Sequence, residues 1–434
     1  MHNYFLIFVL CLVYNFTFLV AHDEIPGGAQ KNPIILKNAK IYTVSKGIID
    51  GGMVLFDKGK IVSVGKNIDI PIGAEIIDCT GKSVYPGFIA SESTIGLVEI
   101  EAVRATRDAV ETGIFNPNAK SVTAYNPDSE IIPTVRSNGI LIAHVVPQGG
   151  LISGLSSIMQ LDGWNREDIA LKHIAALSVN IPSMSVQNAP WISKSAEEQI
   201  KDNEKNLLEL RDYFTKAKMY SLAAKNGLAE NMQDIRLESM RPIFEKQLPV
   251  FFKASSKQQI LAALDIVKTY GINAIIFGAN EAHLCIEELQ LARVPVIIPR
   301  THSLPREAES AYDEPYTLPR ILEQAGILWS FSESSFWQQR NLPFNAGTAI
   351  AYGLSEEAAL RGLTINPATI LGIADRVGSL DSGKDATLFV SKGNALDGLT
   401  NNVEYAFIQG KVVSLQSRQT ELAKKYRTRY QQGQ

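Results

Sequence analysis

The residues able to do chemistry are few and widely spaced. The 434-residue chain holds six histidines and three cysteines. His144 sits inside the apolar run 140–146, ILIAHVV, and reads as a core histidine satisfied by its neighbours. His173 follows Ala170-Leu171-Lys172 on an expected helix, at the surface. His283 follows Glu281-Ala282 at an expected helix start, a structural place. His302 comes just past an expected strand, after Pro299-Arg300-Thr301, and with Arg300 is the best placed to touch a ligand. Cys79 and Cys285 are far apart and lack C-x-x-C spacing, so they read as two buried thiols rather than a disulfide framework, zinc site or redox pair. No G-x-S-x-G elbow is present. The loop Gln148-Gly149-Gly150-Leu151-Ile152-Ser153-Gly154 lacks the Gly-Lys-Ser/Thr of a phosphate loop. Gly149 and Gly150 there allow two readings: a backbone wall close to a bound ligand, or a tight turn.

The stretch 84–97, VYPGFIASESTIGL, organises the elements that must position such residues. Its apolar residues predict a buried strand, punctuated at its start by Pro86-Gly87, with Glu92-Ser93-Thr94 where the strand ends. Ahead of it, short strands from residue 33 onward are joined by turns such as DKGK at 57–60. Behind it, strands alternate with helical segments, the pattern of a parallel α/β barrel. Ser355 before Glu356-Glu357 marks one helix start. Near the C-terminus strands return, with hairpin turns at Ser382-Gly383-Lys384 and Gln409-Gly410. Sheet-forming segments at both ends of an α/β region predict a composite sandwich from 33–83 and 373–415, a barrel over 84–372, and a polar, basic tail over 416–434.

Hydrophobic content of 45% and charged content of 20% fit a globular chain large enough for a sizeable core. A net charge of -3 gives no electrostatic case for nucleic acid or an anionic membrane. Residues 4–20 are nearly all apolar and end at Leu19-Val20-Ala21, which predicts a signal peptide over 1–21 and a periplasmic or secreted protein. The competing reading is a retained membrane anchor. No later segment is apolar enough to span a bilayer.

Several motifs carry a resemblance that runs from about residue 33 to 413. PGFIASESTIGL resembles the first barrel strand of the amidohydrolase superfamily. The segments NPDSEIIPTVRSNGI and VVPQGGLISGLSSIMQLDGW, and the run from LSEEAALRGLTINPATILG to GSLDSGKDATLFV, resemble signatures of its imidazolonepropionase-like branch. The resemblance implies a TIM-like (β/α)8 barrel plus a small β-sandwich formed from both chain ends. It also implies hydrolysis of non-peptide C–N bonds, with Zn or another divalent metal polarising the substrate and activating water.

The family takes its metal ligands from a His-x-His on the first strand, a His on each of the fifth and sixth, and an Asp on the eighth. Carried onto this chain, those positions hold Glu92 and Thr94, Lys253, Gly278, and Ser334 without a gap or Glu333 with one. An ammonium repels a cation and a glycine offers only backbone. The expectation is therefore a degenerate member with no metal cofactor. In it Glu92, Lys253 and Glu333 lie at strand ends on one face, with Lys253 close to one of the carboxylates and standing in for the lost metal charge. The alternative is an active hydrolase with an atypical or metal-free acid/base site built from Glu92, Lys253, His302 and Glu333. Expected partners are a small-molecule ligand and either an active amidohydrolase relative or a second copy of the chain.

Overall fold

The structure is a computed structural model. It describes residues 25–188, 191–228, 233–305, 309–333 and 335–431. The expected signal peptide lies outside the described residues. No helix among the described residues is long and apolar enough to cross a membrane.

The chain begins with five strands: β1 (Ile34–Tyr42), β2 (Ile48–Asp57), β3 (Lys60–Gly65), β4 (Glu75–Asp78) and β5 (Ser83–Pro86). It ends with three more: β16 (Leu388–Ser391), β17 (Val403–Ile408) and β18 (Lys411–Val412). All eight belong to one sheet, ordered β18-β17-β16-β5-β1-β2-β3 with β4 also paired to β1. The sheet folds on itself. Phe56 of β2 and Phe407 of β17, far apart in strand order, meet edge-to-face at 5.0 Å. The fold line is Asn38, with φ of +63°: residues before it pair with β4 and residues after it with β5. The enclosed core holds Leu36, Val54, Val84, Leu388 and Val390.

Between the two ends run the barrel strands: β6 (Phe88–Ser93), β7 (Ile140–Val145), β8 (Ile152–Leu155), β9 (Ser157–Gln160), β10 (Ala170–Lys172), β11 (Leu177–Asn180), β12 (Val250–Ala254), β13 (Ala274–Gly278), β14 (Val296–Ile297) and β15 (Trp329–Ser330). They form two sheets, β10-β9-β7-β6 and β15-β14-β13-β12-β11-β8. β8 and β9 are one strand kinked at Ser156, so the sheets share that strand and the order runs round from β6 to β15. The fold is thus a TIM-like α/β barrel with an attached β-sandwich. One strand departs from the all-parallel expectation: β8–β9 runs antiparallel to both neighbours, β7 and β11. The connection from β7 to β8 is only residues 146–151, and a parallel return needs about a dozen residues.

Helices cover the outside. Ala196–Lys225 opens with a capping box at Ser195 and Glu198, and Lys257–Tyr270 with one at Ser256 and Gln259. Ser355 caps Glu356–Leu363 by accepting from the Ala358 N–H. The tail forms a helix, Arg418–Gln431, with no buried residue. His173 is exposed, but on a bend after β10 rather than on a helix. The short helix nearby is Arg166–Ile169, ended by the pairing of β10 with β9.

No backbone ladder joins β15 to β6 among the described residues; a belt of side chains does. The Ser330 hydroxyl donates to Ser91 Oγ at 3.0 Å. His144 Nδ1 donates to the Ser91 carbonyl at 2.8 Å, and its Nε2 accepts from Ser156 Oγ at 2.7 Å. With its one proton given to the neutral ring, Ser156 Oγ lies 3.1 Å from the Ala176 carbonyl without also donating to it. Burial holds the imidazole well below its usual range, at about 4, so the ring is neutral and the tautomer is set by the Ser91 carbonyl. His144 is therefore a core histidine with both nitrogens satisfied. Replacing it with phenylalanine keeps most of the volume but takes the ring N–H from the buried Ser91 carbonyl and leaves the Ser156 hydroxyl only the Ala176 carbonyl. The expected loss is about 2–4 kcal/mol in denaturant unfolding; a loss under about 0.5 kcal/mol would show that the belt contributes little.

Candidate functional site

The candidate site lies at the C-terminal ends of the barrel strands, where the inward positions turn from apolar to polar. Phe251 and Phe277, on neighbouring strands β12 and β13, stack at 5.4 Å and form part of an apolar cluster with Val146, Ile275 and Ile297. One pleat above Phe251 stands Lys253. One residue above Ser91 stands Glu92.

Glu92 is only 6% exposed. Burial raises its carboxyl from 4.5 to about 7, against the opposing pull of the Lys253 charge and a hydrogen bond from Gln148. Glu333, past the end of β15, is 2% exposed. Its Oε2 accepts from Asn345 Nδ2 at 2.8 Å. Asn345 is itself fixed: its Oδ1 accepts from Thr301 Oγ1 at 2.9 Å and from the His302 N–H at 3.0 Å. Gln339, fully buried, bridges the two segments by donating to the Glu92 carbonyl at 2.8 Å and the Glu333 carbonyl at 2.7 Å. Nothing in the sequence marks Gln339 or Asn345, because a buried amide that bridges separate segments has no motif. They hold the two carboxylate-bearing turns on either side of the β6–β15 seam.

Lys253 is placed differently from the expectation. It is exposed, with Nζ over the Phe277 ring at 5.9 Å from its centroid. Among the described residues no ion pair joins it to Glu92 or Glu333, and its link to Glu92 is a longer-range attraction. An aliphatic stem resting on an aromatic face lets the ammonium stay hydrated, which avoids the cost of burying it.

His302 and Arg300 are both exposed at the end of β14. His302 Nε2 lies 2.6 Å from Thr348 Oγ1. That hydroxyl donates to the Phe344 carbonyl at 3.1 Å, so it accepts from His302 and Nε2 carries the proton. Burial and the Arg300 charge both hold the imidazole below its usual range. The Gly149–Gly150 loop faces its own chain. Asn180 Nδ2 donates to the Gly150 carbonyl at 2.8 Å, and a Cβ on Gly150, whose φ is +61°, would come within 2.8 Å of the Ile114 carbonyl oxygen. The close approach that these glycines permit is to the segment 110–114, and the loop is a tight turn.

Of the positions that the resemblance assigns to metal ligands, Glu92 and Glu333 offer carboxylates and the others do not suit a metal. Thr94 is buried and Lys253 is a cation. Gly278 has φ of +97°, and a Cβ there would sit 2.8 Å from Ser255 Oγ. Ser334 lies outside the described residues. Among the described residues no three His, Cys, Asp or Glu side chains are grouped to hold an ion.

Residues 220–413 match the amidohydrolase family. An amidohydrolase, tasK, of Hapsidospora irregularis is 21% identical over 78% of this chain, which spans 37% of that relative's length. An imidazolonepropionase of Mesorhizobium japonicum is 23% identical over 82% of this chain and 91% of its own. The crystal structure of an amidohydrolase from Thermotoga maritima MSB8 superposes with a TM-score of 0.76 at 28% identity, covering 88% of this chain and 99% of that one.

The Glu92 carboxyl gives the site a pH signature. The folded chain keeps it protonated until about pH 7, whereas the unfolded chain releases the proton near 4.5. Between those values the unfolded state binds fewer protons, so this group makes stability fall as pH rises. Glu92→Gln removes the penalty. The variant should be the more stable by up to about 3 kcal/mol above about pH 8, with the gap closing below about pH 4, in paired urea titrations. A gap that does not change with pH would contradict a buried carboxyl with a raised pKa.

Proposed function

We propose, from the premise that this chain belongs to the amidohydrolase superfamily in its imidazolonepropionase-like branch, that it is an exported member which has given up metal-assisted hydrolysis and keeps its barrel mouth for binding a small molecule. The observation that carries this reading is the pair of neighbouring strands β12 and β13. Relatives in the family place an imidazole on each. Here one carries the Lys253 ammonium and the other ends at Gly278, whose positive φ and Ser255 neighbour leave no room for a side chain. An ammonium in a ligand position opposes a divalent cation by several kcal/mol at close range, with a magnitude that depends on local screening. The apolar N-terminal run 4–20 supports export.

A second reading has one observation in its favour. A carboxyl held at about 7 can donate and accept a proton near neutral pH, so Glu92 has the acidity of a general acid or base. In that case the chain would hydrolyse its substrate without metal, and Lys253 would stabilise developing negative charge.

Metal content separates these from a conventional hydrolase. The mature chain, purified and dialysed without chelator, should carry far less than one Zn, Mn or Fe per chain by mass spectrometry. Added zinc should bring no hydrolysis of simple amide or lactam substrates. A ratio near one metal per chain, with activity lost to chelator, would overturn the proposal. Chelator-resistant hydrolysis whose pH–rate limb near neutrality disappears in Glu92→Gln would establish the metal-free enzyme instead.

A further inference from the structure

Resting on that reading of the mouth as a binding site, the geometry points to its ligand class: we infer that it takes a small organic carboxylate with an apolar or aromatic body, and that Lys253 is the counter-ion. The argument starts from charge. Lys253 and Arg300 are both exposed at the C-terminal edge of the same sheet, and among the described residues neither has an ion pair. They stand on β12 and just past β14, the two strands that flank β13. Strands one apart in a sheet lie about 10 Å from each other, within reach of two long basic side chains converging on one anion. Between them β13 ends in Gly278, which adds no side chain of its own beside the Ser255 hydroxyl. Of the carboxylates nearby, Glu92 and Glu333 are buried, Glu333 is held by Asn345, and the half-buried Glu281, just past β13, accepts from the Lys257 N–H at 2.7 Å.

The floor of the gap sets the rest of the ligand. Lys253, Phe277 and Ile297 are in register across β12, β13 and β14. The Lys253 ammonium already lies over the Phe277 ring, which itself stacks on Phe251. An anion at Lys253 would therefore have an aromatic surface directly beneath it. Apolar contact there adds to affinity, whereas a fully hydrated inorganic anion gains nothing from it. A planar monocarboxylate meets both features. A free phosphate or sulfate would use the charges alone.

Benzoate, benzamide and inorganic phosphate test this on the mature chain, by calorimetric titration or ligand-observed magnetic resonance. Benzoate should bind saturably at one site, and benzamide, its neutral isostere, at least about tenfold more weakly. Lys253→Met keeps the stem and removes the charge, and should weaken benzoate about tenfold or more while leaving the fold unchanged by circular dichroism. Lys253→Arg should restore most of the affinity, and Arg300→Met should weaken it less than Lys253→Met does. Phosphate binding as tight as benzoate, with the same dependence on Lys253, would overturn the carboxylate assignment. So would the absence of saturable benzoate binding, or equal binding in Lys253→Met. These outcomes are independent of metal content: a metal-loaded, hydrolytic chain would refute the proposed function, whereas a metal-free chain indifferent to benzoate would refute only the ligand class.

Discussion

A chain of side-chain hydrogen bonds closes the barrel, and the mouth is built on it. Ser330, Ser91, His144 and Ser156 link the last strand to the first, second and third. In the low-dielectric interior such bonds are strong when complete and costly when broken. The belt is complete only with a neutral imidazole in one tautomer, which its burial enforces. Ser91 takes part through both its hydroxyl and its carbonyl, so the height and rotation of β6 are fixed there. Glu92, the next residue, is thereby held at the level of Lys253. The seam that lacks a backbone ladder is also the seam where Gln339 ties the Glu92 and Glu333 carbonyls together. Closure and site geometry are the same set of contacts.

The segments that carry the family resemblance have folding roles in this structure. NPDSEIIPTVRSNGI supplies Arg136 and the loop ending in LDGW supplies Asp162. The two form a buried ion pair at 2.9 Å, with each side chain 2% exposed. Removing one partner of such a pair costs about 3–5 kcal/mol, because the other charge is left buried. Asn126 and Ser129 of the first segment hold the Glu99 carboxylate just beyond β6. In the C-terminal run, Asp385 accepts from Arg376 at 2.8 and 3.0 Å and pairs with Lys60 at 2.5 Å, which binds the two ends of the sandwich together.

Such folding roles explain what could be read from the sequence. The sandwich strands were legible because their turns need special residues: Lys58-Gly59 and Gln409-Gly410 all have positive φ. The barrel was legible from alternation and caps, Ser355 among them. The reversed strand was not, since its evidence is the short span 146–151, and a buried apolar run looks alike in either direction. At the site, Glu92 and Glu333 were legible by position and are both buried at the mouth. Lys253 lies exposed over the Phe277 ring and not against a carboxylate, because a sequence shows where a strand ends and not whether a long side chain folds inward or out over a ring. Gly149 and Gly150 show that a glycine-rich loop marks close approach without naming what approaches. Gln339 and Asn345 left no trace, as their partners are backbone groups and side chains brought together only by the fold.

The mouth has the electrostatics of a site adjusted to having no divalent cation, which fits the proposed loss of metal chemistry. Two carboxyl groups at adjacent strand ends repel one another unless something offsets them. A metal would do so in the hydrolases of this family. Here Glu92 is shifted toward its neutral form, and Glu333 accepts a hydrogen bond from an asparagine that three other contacts hold still. Lys253 supplies positive charge from the rim without being buried. Each adjustment is local and could be reversed singly, but Gly278 is different in kind. Its backbone has taken up a conformation that side chains rarely adopt, against the Ser255 hydroxyl. An imidazole there would have to accept that strained backbone and turn the Ser255 hydroxyl aside, on a strand paired with β12 on one side and β14 on the other. The difference at this position lies in the main chain as well as in the side chains.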